Sequence, residues 1–112
     1  MIALSFNWDS HLFWIHYGLA ELLFDGGRFD DAHQGLERAK SHTINNPYQL
    51  GHAMRLQAQF WWRQSRFEEA RSEVLRAADV YEKLGAAREV GDCRALLRKI
   101  EEGAKNAVIS GG

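Results

Sequence analysis

Arg28-Phe29-Asp30-Asp31-Ala32 returns 38 residues later as Arg66-Phe67-Glu68-Glu69-Ala70. The echo continues outward: Leu36 answers Val74, Arg38 answers Arg76, and Ala39 answers Ala77. Self-similarity at one fixed period, in the range of about 20–50 residues, marks a repeat architecture. Stacked repeats build extended surfaces that hold partners. The echo therefore points to a class of function before any single residue does.

Around the two echoes the chain reads as helix almost throughout. It holds a single proline, and proline is the residue that breaks helix interiors. No segment sustains a two-residue alternation of β-branched residues, so no strand is expected. Five helices can be placed. The first runs to about Phe24, with Asp9 or Ser10 as its cap. Asp25-Gly26-Gly27 ends it, because glycine tolerates the left-handed exit. The second starts near Phe29 and aligns Phe29, Ala32, Leu36 and Ala39 on one face. The third runs from about Pro47 to Gln64, with Pro47 suited to a first helical position. The fourth starts near Phe67, carries Ala70, Val74, Ala77 and Tyr81, and stops at Gly85. The fifth spans about Ala87 to Gly103, with Val90, Cys93, Leu97 and Ile100 as its stripe. Short connections make successive helices antiparallel. The small residues Ala32, Ala39, Ala70 and Ala77 let paired helices approach closely.

Composition limits what the chain does. At 112 residues it is one domain, 46% apolar and 26% charged, as soluble globular proteins are. A formal net charge of −1 gives no field to steer it to nucleic acid or anionic lipid. No uncharged apolar run approaches the roughly 20 residues of a membrane span. The first ten residues carry no secretory signal pattern. Cys93 is the sole cysteine and suits a reducing compartment, so a cytoplasmic setting is expected.

The echoed segments resemble a known family. Gly27-Arg28-Phe29-Asp30-Asp31-Ala32 with Leu36 and Ala39 resembles the second half of a tetratricopeptide repeat, and Ser65 to Ala70 with Val74 and Ala77 looks like the same half again. Leu19, Ala20 and Leu23 fall where that family carries Leu, Gly and an aromatic; Ala58 and Trp61 do so in the second unit. His16 and Met54 stand where a Trp is usual, Gln57 replaces the Leu, and Ser65 replaces the turn glycine. The spacing of 38 exceeds the usual period of about 34 and implies longer helices or loops. The resemblance implies an all-α, solenoid-like stack of antiparallel helix–turn–helix repeats. Residues 10–45 and 46–84 form the two units, and 86–104 a terminal capping helix. An N-terminal extension (1–9) and a flexible tail (105–112) flank them. In style it is also similar to the C-terminal repeats of large fungal signalling ATPases. No P-loop occurs here, so no nucleotide activity comes with that likeness.

No constellation for catalysis stands out. His11, His16, His33, His42 and His52 share no metal-ligand spacing. Cys93 lies in an apolar stripe with no activating histidine motif. Asp30-Asp31 and Glu68-Glu69 sit in first helical turns, where the helix dipole favours negative charge. Gly26-Gly27 lacks the lysine that a phosphate loop needs. We therefore expect no enzyme activity, no metal and no cofactor.

In arrays of the kind it resembles, the first helix of each pair lines the inner groove. By register this places Tyr17, Glu21 and Phe24 on the groove from the first unit, and Arg55, Gln59, Trp62 and Arg63 from the second. Arg94 and Arg98 of the last helix extend it. Aromatics and arginines dominate binding energy at interfaces, so these residues are expected to hold a protein or peptide. A spacer or cap within a larger repeat-containing protein is the competing expectation. The first helix is apolar nearly all round, from Leu12 to Phe24. Such a helix expects neighbours on several sides: an earlier repeat, a second copy of the chain, or Met1–Trp8 folding back; the alternative is that its aromatics pack within the domain itself.

Overall fold

The computed structural model describes residues 8–111, with side chains for 8–108. Five helices fill it, α1 (Trp8–Asp25), α2 (Phe29–Lys40), α3 (Pro47–Arg63), α4 (Phe67–Lys83) and α5 (Ala87–Gly111), and no strand occurs among the described residues. The fold is all-α.

Three of the four connections are one and the same turn. Arg28 N–H donates to Leu23 O (2.9 Å), Arg66 N–H to Trp61 O (2.8 Å) and Ala86 N–H to Tyr81 O (2.9 Å). Each bond spans five residues backward, and a shorter one beside it completes a Schellman closure. The residue before each donor lies in the left-handed region: Gly27 at φ +83°, Ser65 at +60° and Gly85 at +70°. The donors Arg28, Arg66 and Ala86 also cap the next helix, because their carbonyls accept from Ala32, Ala70 and Val90. One residue thus closes one helix and opens the next. The remaining link, between α2 and α3, is longer. There Asn46 Oδ1 accepts from Gln49 N–H (3.1 Å) and Pro47 takes the first helical position.

Contacts fix the packing. Phe24 at the end of α1 meets Phe29 at the start of α2 (4.6 Å), while Asp9 at the start of α1 meets His42 just after α2 (3.1 Å). The pair is antiparallel. Phe24 stacks flat on Phe60 (4.2 Å), and Ser10 Oγ accepts from Gln49 Nε2 (2.9 Å), so α1 and α3 run side by side in the same direction. Arg55–Asp92 (3.2 Å) and a Tyr48–Glu89 hydrogen bond place α5 beside α3 in the same sense. The core lies between these helices and α2 and α4. Ala58, Val74, Tyr81, Cys93 and Ile100 form its larger cluster; Ala20, Phe24, Leu36 and Phe60 form a second.

A buried polar chain joins α2, α3 and α4. Lys40 Nζ donates to Glu73 Oε2 (2.7 Å), to Glu37 Oε2 (3.1 Å) and to Gln57 Oε1. Gln57 Nε2 donates to His33 Nδ1 (3.3 Å), and His33 Nε2–H donates to Gln64 Oε1 (2.7 Å). The His33 ring stacks on Trp61 (3.7 Å). Each polar group has its partner, as buried polar groups require.

Two expectations need correction. Asp9 and Ser10 lie inside the first turn of α1 rather than capping it, and they serve His42 and Gln49 instead. The fifth helix does not stop at Gly103 to leave a tail; it runs on to Gly111. Gly103 is a close-approach residue: a Cβ there would sit 2.6 Å from Phe67 Cε1. The expected extension 1–9 lies outside the described residues except for Trp8 and Asp9, which begin α1.

Candidate functional site

The side-by-side run of α1, α3 and α5 leaves two clefts, one on each flank of α3. Four residues separate Arg55 from Gln59 and Gln59 from Arg63, so the three form one row along the helix. The cleft between α3 and α5 holds about 340 Å³ and is lined by Arg55, Gln59, Asp92, Ala95, Leu96 and Lys99. The cleft between α1 and α3 is smaller, about 140 Å³, lined by Glu21, Asp25, Leu56, Gln59, Phe60 and Arg63. Gln59 belongs to both and forms the ridge between them.

Charge differs across the ridge. The wider cleft has Arg55 and Lys99 against Asp92; the narrower has Arg63 against Glu21 and Asp25. Each arginine is steered by a carboxylate from the neighbouring helix, Arg55 by Asp92 (3.2 Å) and Arg63 by Asp25 (3.4 Å). The Arg63 guanidinium also rests over the Phe24 ring, 4.6 Å from its centre. Such partly exposed ion pairs contribute little to stability, about 0–1 kcal/mol. They hold the forks in place without burying them. Burial raises the Tyr17 hydroxyl above its ordinary range; Glu21 adds to that and Arg55 opposes it. Burial likewise lowers His52, with Arg55 assisting and Glu89 opposing.

Arg55, Gln59, Arg63 and Glu21 line the clefts. Tyr17 is half-buried between Phe13 (5.6 Å) and Trp14 (5.4 Å), beside the clefts rather than in them. Phe24 is a correction: it is 3% exposed and belongs to the core, because its ring is sandwiched against Phe60 and Phe29. Trp62 packs on the α4–α5 core with the Lys99 ammonium 5.9 Å above its ring. Arg94 faces away from the clefts, toward Glu82 (4.0 Å) and the α4–α5 turn, and Arg98, one turn further on, is exposed.

Asp92 and Lys99 take the place expected of Arg94 and Arg98. Neither arginine lines the wider cleft. The better signal was spacing: Asp92, Ala95, Leu96 and Lys99 recur at three, four and seven residues and so share one face.

Among the described residues, no group of three or more His, Cys, Asp or Glu side chains is placed to hold a metal ion. Cys93 is buried, and burial pushes its thiol up to about 11. No helix of the described residues is long and apolar enough to cross a membrane. Comparisons with protein-family models, curated proteins and solved structures find no match to this chain.

Proposed function

We propose that the chain is a protein-interaction module of the tetratricopeptide type, working in the cytoplasm without catalysis, and that it holds a peptide segment across α3. The observation that carries this is the Arg55-Gln59-Arg63 row with an open cleft on each side. The ligand's chemistry follows from the charge difference. Two cations against one anion beside α5 suit a carboxylate, which a guanidinium binds in a fork. Two anions against one cation beside α1 suit a basic side chain. Neighbouring helix axes lie about 8–10 Å apart, which an extended peptide covers in about three residues. The preferred ligand is therefore extended, with an acidic and a basic residue about three positions apart. Ala95 and Leu96 add apolar floor to the wider cleft.

A peptide array probed with the purified chain tests this. Bound peptides should be enriched in that acid–base spacing, and Arg55→Glu with Lys99→Glu should abolish the enrichment while leaving the circular dichroism spectrum unchanged. Enrichment that survives the double variant would sink the proposal. A second reading, a spacer or cap in a larger protein, draws support from the charged outer face of α5, where Arg88, Arg94, Arg98 and Glu102 are exposed. A spacer would select no peptide at all.

A further inference from the structure

The turns that close α1 and α3 superpose Gly27 on Ser65, so each α1 residue has its counterpart 38 positions later in α3. Burial can then be compared position by position. Phe13 and Ala20 are buried, and so are their counterparts Gly51 and Ala58. Ile15, Leu19 and Leu22 are not: they are 49%, 49% and 71% exposed. Their counterparts Ala53, Gln57 and Phe60 are all buried, covered by α1 and α2. Gly18 lies among the three exposed residues with open space around it, whereas its counterpart Leu56 is buried. The outer face of α1 is thus the same helix-packing face that α3 fills within the chain.

We infer that a second copy of this chain covers that face, the two α1 helices crossing antiparallel at Gly18 about a two-fold axis. The stripe is self-complementary: Ile15 lies three residues before Gly18 and Leu22 four after, so the rotation sets one against the other. Ile15, Gly18, Leu19 and Leu22 carry no charge, and Glu21, three residues after Gly18, lines the α1–α3 cleft instead. The acids at the two ends of α1 are engaged within their own chain, Asp9 with His42 and Asp25 with Arg63. Gly18 lets the two backbones approach. With Trp8, itself 56% exposed, the stripe offers on the order of 500 Å² per chain and so ~1,000 Å² across the pair, the lower limit of a specific interface and the size of a weak one. The far end of the chain does not suit it. The outer face of α5 carries Arg88, Arg98 and Glu102, and a head-to-tail contact would strip water from those charges against an apolar surface.

The test uses the full chain. Sedimentation from about 1 to 200 µM, a range that brackets a modest interface, should show a mass rising to twice that of one chain. Ile15→Asp should hold it at the single-chain mass with unchanged helicity. Ile44→Asp, at the exposed α2–α3 link, should leave the dimer intact. Gly18→Cys, which meets nothing within its own chain, should form a covalent dimer on mild oxidation, while buried Cys93 stays reduced. A single-chain mass throughout, from an N-terminal segment covering the face or from no cover at all, overturns the inference. So does a dimer that Ile44→Asp dissolves, or one in which Gly18→Cys fails to cross-link.

Discussion

Lys40→Met probes the joint between the two helical pairs more sharply than any other substitution. The Lys40 side chain is 18% exposed and its ammonium lies 2.7 Å from Glu73 Oε2, whose side chain is 7% exposed. Removing the ammonium leaves a buried carboxylate with Arg76 at 3.2 Å as its remaining cation. It also strips Gln57 Oε1 of its donor. Breaking one side of a buried ion pair costs about 3–5 kcal/mol. Residual access to water and the Arg76 contact place this case at the lower end, about 3 kcal/mol. That is a large part of the total stability of a domain this size, about 5–15 kcal/mol, and lowers Tm by roughly 12–24 °C. Urea unfolding followed by far-ultraviolet circular dichroism at pH 7 measures it. Lys40→Met with Glu73→Leu removes both charges together and should recover to within about 1 kcal/mol of the parent, since a buried pair is often replaceable by apolar residues. A single variant costing under about 1 kcal/mol, or a double variant that simply adds two losses, would refute the view that this pair is buried and mutually dependent.

Three further outcomes follow from particular residues. Ser65 adopts φ +60° where the equivalent Gly27 has +83°; the left-handed region costs a non-glycine residue about 1–2 kcal/mol, and glycine returns about 0.5–1 kcal/mol to the unfolded chain. Ser65→Gly should therefore raise stability by about 0.5–1 kcal/mol in a thermal melt, and a fall would show that the Ser65 side chain makes up for its backbone. His52 is lowered from its ordinary 6.5 by burial and Arg55, and its Nδ1 shares a hydrogen bond with the Tyr81 hydroxyl at 3.0 Å. The unfolded chain then binds more protons than the folded one, so stability should drop as pH falls below about 6.5, and His52→Gln should flatten that slope; an unchanged slope assigns it elsewhere. Cys93, buried with its thiol near 11, should resist an aromatic disulfide reagent until urea unfolds the chain, and prompt labelling of the folded chain would contradict its placement.

Much of the helical layout is legible because it is written locally. Gly27 and Gly85 stop helices through their own backbone freedom, Pro47 starts one through its fixed φ, and the echo around Phe29 and Phe67 repeats a complete turn. What escapes local reading is set by distant partners. Gly103 carries the sign of a helix end, yet it lies inside α5, where the missing side chain makes room for the Phe67 ring. Phe24 and Leu22 are both apolar residues near the end of α1; the rings of Phe60 and Phe29 make the first core, while the second is exposed. Lys40 looks like an ordinary last-turn lysine, and its partner Glu73, 33 residues away, follows no period that would announce it. The cleft residues divide the same way. Arg55, Gln59 and Arg63 follow from helical spacing, while Asp92 and Lys99 depend on how α5 seats against α3 after a turn that the 38-residue echo does not reach.

The proposed binding of a peptide across α3 and its two flanks is open to a direct measurement. Backbone amide shifts, recorded while a peptide selected on the array is titrated into the chain, address it directly. Changes should concentrate at residues 55–63 and 92–99, with a smaller set at 21–25, and vanish in the Arg55→Glu with Lys99→Glu variant. Changes confined to α2 and α4, or persisting in that variant, would contradict it.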